Sequence, residues 1–165
     1  MSENLLKLIS ESNSATHLIS KSGHFCIDDI VGVSLLFAAV YSKKPANYVI
    51  ISSNLYNAQK ISSLIGSLIG SDNVLLYPGD DVLRCELLTS SKELLSQRLF
   101  VLNELENSKK KIVVTHASSI LTPLPPKKEF EEACFDIQVG DKFNINNLKK
   151  KLIQSGYYCV NKIHW

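Results

Sequence analysis

Three short runs of consecutive apolar residues punctuate the chain: Tyr48-Val49-Ile50-Ile51, Val74-Leu75-Leu76-Tyr77 and Ile112-Val113-Val114-Thr115. An unbroken apolar run of this length, rather than an alternating one, predicts a strand buried on both faces, as in a parallel sheet. Ser52-Ser53-Asn54 after the first run supplies helix-capping residues. Ala58, Ile61, Leu64, Ile65 and Leu68 then recur at helical spacing, and Gly70 closes that helix. Leu94, Leu95, Arg98, Leu99, Leu102 and Leu105 predict another helix with one apolar stripe. Upstream, Leu5, Leu6, Leu8 and Ile9 predict a short amphipathic helix. Residues 24–27 read as a first strand, 33–41 as a helix apolar on several faces, and 117–121 as a short helix. Strands alternating with helices in this way predict an α/β fold, a parallel sheet flanked by helices on both faces.

Pro123-Leu124-Pro125-Pro126 breaks the alternation and divides the chain into domains over 1–125 and 126–165. The second holds a turn at Gly140-Asp141, a helix near 145–154 ended by Gly156, and a strand at Tyr157-Tyr158-Cys159-Val160. A strand rich in aromatics that runs out at His164-Trp165 has no partner strand after it. The expectation is part of a small second α/β domain.

At 165 residues the chain can bury roughly 70% of its unfolded surface, so its core needs no covalent staple. Hydrophobic content of 45% against 21% charged describes a folded globular chain, and the net charge of +2 argues for no nucleic-acid partner by itself. Lys109-Lys110-Lys111, Lys127-Lys128 and Lys149-Lys150-Lys151 are separated clusters that solvated helix ends explain. Cys26, Cys85, Cys134 and Cys159 form no C-x-x-C pair. With no export signal and no apolar stretch of membrane-spanning length, the expected location is the cytoplasm, with no membrane partner.

A nucleotide-hydrolysing sheet protein needs G-x-x-x-x-G-K-[ST] after its first strand, so that backbone amides and a lysine meet the phosphates. Here that turn reads Cys26-Ile27-Asp28-Asp29-Ile30-Val31-Gly32-Val33-Ser34, with one glycine, no lysine and two carboxylates. It predicts a sheet domain without a working phosphate loop, in which Asp28-Asp29 start a helix or turn. His116, beside Thr115, Ser118 and Ser119, stands at a strand's carboxyl end, where active-site residues of open α/β sheets sit. No G-x-S-x-G elbow or second catalytic group accompanies it. No histidine and cysteine spacing suits zinc. Arg98, among helix leucines, is expected to snorkel or to pair with a loop carboxylate such as Asp81 or Glu86.

Tyr77-Pro78-Gly79-Asp80-Asp81, a polar stretch, and then Ser96-Gln97-Arg98-Leu99 opening a leucine-rich helix resemble a known arrangement. It is the loop and helix after the third strand in the amino-terminal, UvrB-like module of bacterial transcription-repair coupling factors. The likeness runs from about residue 46 to the end and is most specific over 74–126. It takes in Ile112-Val113-Val114-Thr115-His116-Ala117-Ser118-Ser119-Ile120-Leu121 and the closing Pro125-Pro126. Gly140-Asp141 and Ser155-Gly156-Tyr157 resemble the opening of that family's UvrA-contacting domain. The resemblance implies a degenerate helicase-like, P-loop-like domain that has lost ATP binding, a non-catalytic interaction module in nucleotide excision repair, truncated relative to a parent that displaces stalled RNA polymerase and recruits UvrA. It implies no cofactor in this segment, ATP and magnesium being used only by the translocase part of full-length relatives. RNA polymerase and DNA would be met through other domains. Asp80, Asp81, Arg84 and Arg98 become candidates for regulatory or intramolecular contact, and Tyr157, Tyr158 and Lys162 for an incomplete UvrA surface. Family members often carry an arginine directly after the Gly-Tyr, where this chain has Tyr158. Two readings stand beside this one. A sequence-independent DNA-binding module would use Lys109 to Lys111 and Lys149 to Lys151. A small α/β enzyme would centre on Asp28, Asp80 and His116.

Overall fold

β-Branched residues dominate the first and third apolar runs, and all three runs form strands: Tyr48–Ser52 (β1), Val74–Leu76 (β2) and Ile112–His116 (β3). The computed structural model describes residues 2–20, 29–79, 92–106, 110–121, 123–134, 137–154, 157–158 and 160. The strands make a parallel sheet in the order β1-β3-β2. Tyr48 and Val74 both stand opposite Ile112, and Ser52 stands opposite His116. Their carboxyl ends therefore emerge on one side. The expected first strand at 24–27 lies outside the described residues.

Helices precede and connect the strands: Ser2–Ser10 (α1), Asn13–Ser20 (α2), Ile30–Lys43 (α3), Leu55–Ile69 (α4), Lys92–Glu106 (α5) and Ala117–Ile120 (α6). Asn54 caps α4, its side chain accepting the Asn57 N–H at 2.9 Å, and Gly70 ends it at φ +92°. Ala58, Ile61 and Ile65 of α4 pack with Ile50, Val74, Ile112 and Val114 of the sheet and Ala38, Ala39 and Tyr41 of α3. Leu6 of α1 joins the same core. Small residues let α3 lie close to both neighbours, and the Ser34 hydroxyl bonds the Ile30 carbonyl within its own helix at 2.8 Å. The α2 helix, which the apolar pattern does not announce, adds Ala15 to a smaller cluster with Leu36 and Val40.

The path β1-α4-β2 steps past β3, and β2-α5-β3 steps back. Right-handed crossovers in opposite directions put α4 and α5 on opposite faces of the sheet. Lys111, buried just before β3, ties α5 down: its ammonium bonds the Asp72 carbonyl and pairs with Glu104 at 3.3 Å. Two sequence expectations need correction here. The stripe of leucines on α5 is not its buried line, because Val101 is buried while Leu95, Leu99 and Phe100 are exposed. And β1 is not buried on both faces, since Val49 and Ile51 are 62% and 58% exposed. The α5 crossover returns from β2 to its immediate neighbour β3, so it does not reach over β1. Hence one face of β1 is packed and the other is open.

Two hydroxyls complete the base of this layer. Tyr41 Oη donates to the Lys110 carbonyl at 2.6 Å, and Tyr48 Oη donates to the Lys44 carbonyl at 2.9 Å. Burial pushes both phenols above the ordinary tyrosine value, because the charged form would lose its water.

The chain divides into two compact units, Met1–Thr122 and Pro123–Trp165. The second holds Lys127–Ala133 (α7) and Ile145–Gln154 (α8). The Tyr157 N–H bonds the Leu152 carbonyl at 3.0 Å, closing the end of α8. The strand expected at residues 157–160 is not found at Tyr157, Tyr158 or Val160, the described residues there. A strand is held by a neighbour's backbone, and none of the described residues of this unit offers one.

Candidate functional site at the strand ends

Beyond β2, the Tyr77 N–H donates to the Val114 carbonyl at 2.8 Å, and the Thr115 hydroxyl donates to the Tyr77 carbonyl at 2.9 Å. Pro78 has no N–H to continue the ladder and is buried. Gly79 then turns against the start of α6. A Cβ there would lie 2.3 Å from Ser119 Oγ and 2.7 Å from Ser119 Cα, so only glycine fits without backbone movement. Its N–H donates to His116 Nε2 at 3.1 Å, while Ser118 Oγ sits 2.8 Å from His116 Nδ1. With Nε2 accepting, the ring proton is on Nδ1.

His116 is 1% exposed, and both ring nitrogens hold local partners. It is a strut between the β2 exit and the β3–α6 turn, poorly presented for acid–base work. Ser119 Oγ is buried and has no hydrogen-bond partner among the described residues. Such a hydroxyl costs about 1–3 kcal/mol, set here against the close Gly79 contact.

Arg98, on the second turn of α5, crosses to the same place. Its Nε donates to Tyr77 Oη at 3.0 Å, and the guanidinium lies 5.1 Å from the Tyr77 ring centre. The partner is therefore the aromatic of the Tyr-Pro pair, whereas Asp81 and Glu86 lie outside the described residues. Arginine prefers such a ring because it can stack and donate at once. The twenty-one-residue separation of Tyr77 and Arg98 hides this pair from any local pattern.

At the amino end of α3, Asp29 is the N-cap, its carboxylate accepting the Gly32 N–H at 3.0 Å. This is the helix-start role expected of the Asp28-Asp29 pair; Asp28 itself is not among the described residues. A carboxylate there satisfies the amide and the positive helix end that a phosphate would otherwise use.

The remaining candidates separate. Asp80, Asp81, Arg84 and Lys162 lie outside the described residues. Tyr157 and Tyr158 are exposed after α8, in the other unit. Lys111 is removed from any phosphate-facing track by its burial and its bond to Glu104, although Lys110 is exposed. Cys134 is a free, exposed thiol. No group of three His, Cys, Asp or Glu residues placed to hold a metal occurs among the described residues, nor is any helix there long and apolar enough to cross a membrane.

No family model and no solved structure matches the chain. Curated sequences do. The transcription-repair-coupling factor of Bacillus subtilis is 34% identical over 133 residues, which is 78% of this chain and 11% of that protein. The Staphylococcus haemolyticus protein of the same name is 27% identical over 122 residues, 74% of this chain and 10% of its own length. That of Staphylococcus aureus strain USA300 is 25% identical over the same extent. The chain thus spans about a tenth of the length of the curated relatives it matches. Over that segment the chain is a homologue of the transcription-repair-coupling factors.

Proposed function

We propose that the chain works as a protein-contact segment of a transcription-repair coupling factor, equivalent to the amino-terminal UvrB-like module, and that it carries no nucleotide chemistry of its own. Relatives named transcription-repair-coupling factor supply the biological setting. The observation that carries the non-catalytic reading is the Asp29 carboxylate on the Gly32 N–H, a built-in anion where a nucleotide would need open amides. The sequestered His116 supports it, because this histidine at the carboxyl end of β3 is occupied with structural bonds.

In this reading Asp80, Asp81, Arg84 and Arg98 make regulatory or intramolecular contacts beside the Tyr77 exit. The Arg98 contact with Tyr77, beside that exit, supports this reading. Tyr157, Tyr158 and Lys162 contribute to a UvrA-facing surface. The exposure of both tyrosines suits it, since aromatic side chains supply much of the energy of protein interfaces. RNA polymerase and DNA are met through other parts of the longer relatives, and the setting is the cytoplasm. ATP and magnesium belong to those other parts as well.

Two measurements test this. Calorimetric titration with ATP and magnesium should give no saturable heat and no phosphate release; micromolar binding would remove the non-catalytic reading. Purified UvrA should be captured weakly or not at all by this chain, and firmly by a version extended in the manner of the Bacillus subtilis relative. Equal, tight capture by both would show that the surface is already complete here. Capture by neither would sink the UvrA assignment.

A further inference from the structure

Arg98 uses only part of its donor set. Its Nε–H bonds Tyr77 Oη at 3.0 Å and its guanidinium rests beside the Tyr77 ring, so the group is fixed at the carboxyl end of the sheet. No hydrogen bond or ion pair joins Nη1 or Nη2 to a described residue. Both reach solvent, since Ser119 Oγ is the one buried side-chain polar atom without a partner among the described residues. The acids of its own helix do not neutralise it: Glu104 pairs with Lys111 at 3.3 Å, and neither Glu93 nor Glu106 is bonded to Arg98. Leu95, one turn before Arg98, is 50% exposed, and Leu99, one turn beyond Leu95, is 42% exposed. An oriented cation with open donors thus stands beside exposed leucine surface.

We infer that Arg98 is a receptor for a carboxylate on a partner protein, and that Leu95 and Leu99 take an apolar side chain of the same partner. The inference rests on the protein-contact reading above and adds the receiving residue and the partner's chemistry. A planar fork with its Nη edge open matches a carboxylate through two parallel bonds. Anchoring through Nε and the ring removes much of the rotamer freedom that binding would otherwise cost. Phosphate fits the fork too, but phosphate sites gather several donors, and the amides of the strand exit are already engaged. The Tyr77 N–H bonds the Val114 carbonyl, and the Gly79 N–H bonds His116. The leucines also select a protein, because they gain from an apolar neighbour and nothing from a phosphate backbone.

The test uses the full chain, isotopically labelled, and short peptides selected on it from a random displayed library. Arg84 and Arg98 are the two arginines of the sequence, so the Arg98 Nε–H signal is assigned by its loss in Arg98→Lys. Selected peptides should carry an acidic residue close to a large apolar one, and should shift the Arg98 Nε–H together with the amides of residues 95–99. Replacing the peptide's acid by its amide should weaken binding at least about tenfold, as should Arg98→Lys, which keeps the charge but loses the fork. Leu95→Ser with Leu99→Ser should weaken binding while the preference for acid over amide survives. Unmoved amides in β1 and β3 report that the variants remain folded. No selected peptide, selected peptides without an acid, shifts away from α5, or tighter binding of a short DNA duplex would each overturn the inference. So would movement of the Arg98 signal in Asp81→Asn or Glu86→Gln without peptide, which would put the chain's own carboxylate there. If UvrA is captured while Arg98 ignores every peptide, the inference falls and the protein-contact reading stands. Peptide binding at Arg98 without UvrA capture leaves the inference standing and removes the UvrA assignment.

Discussion

The two units of this chain are built on opposite principles. In Met1–Thr122 the three strands and the helices α1, α3 and α4 bury Ile50, Ile61, Ile65, Ile112 and Val114 in one continuous core. In Pro123–Trp165 no described residue is buried, and Phe130, Leu148 and Leu152 are only partly covered. The apolar residues of the second unit, Ile137, Val139, Tyr158 and Val160 among them, face outward. The difference lies in topology more than in composition. A parallel sheet gives every apolar residue of its central strand two neighbours and a covering helix, whereas the described residues of the second unit hold two short helices and no strand to close upon. The continuous buried core therefore belongs to the first unit, although Val49, Ile51 and Phe100 leave it apolar surface of its own.

Substitutions can break this contrast, beginning with the core. Ile112→Ala, in the middle of the sheet, should cost the first unit about 2–5 kcal/mol in urea unfolding, through lost burial and the cavity left behind. Gly79→Ala should cost about 1–3 kcal/mol, because the new methyl must displace Ser119 and loosen the bond to His116. A variant as stable as the parent would show that the β2 exit is not locked against α6. Tyr77→Phe, which removes the acceptor for Arg98 but keeps the ring beneath it, should cost about 0.5–1.5 kcal/mol.

Alkaline unfolding sharpens the comparison from another side. The folded protein holds the Tyr41 and Tyr48 protons at pH values where the unfolded chain releases them. Their contribution is full below the ordinary tyrosine range, near pH 10, and is lost as pH rises through the raised folded values. Stability measured against pH should thus fall above about pH 10, and Tyr41→Phe should flatten part of that fall. The smallest effect is expected in the second unit. Ile153→Ser should change the unfolding of the chain by no more than about 0.5 kcal/mol, and a larger loss would mean that this exposed side chain is packed after all.

Much of the first unit was legible in the amino-acid order. The apolar runs at Tyr48, Val74 and Ile112 became strands, Asn54 and Gly70 bounded their helix, and the lysine-free turn through Asp29 became a self-capped helix start. These are local matters, decided by periodicity, backbone preference and the reach of a side chain to a nearby amide. Tertiary structure alone decided the rest. It left Val49 and Ile51 open because a crossover returns to the adjacent strand, and it gave the buried position on α5 to Val101 instead of the leucines. It enclosed His116 and Lys111, and it joined Arg98 to Tyr77 and Gly79 to Ser119 across spans that no local pattern connects. Hydrophobic spacing records which residues seek cover; only the strand order and the path of the crossovers settle which of them find it.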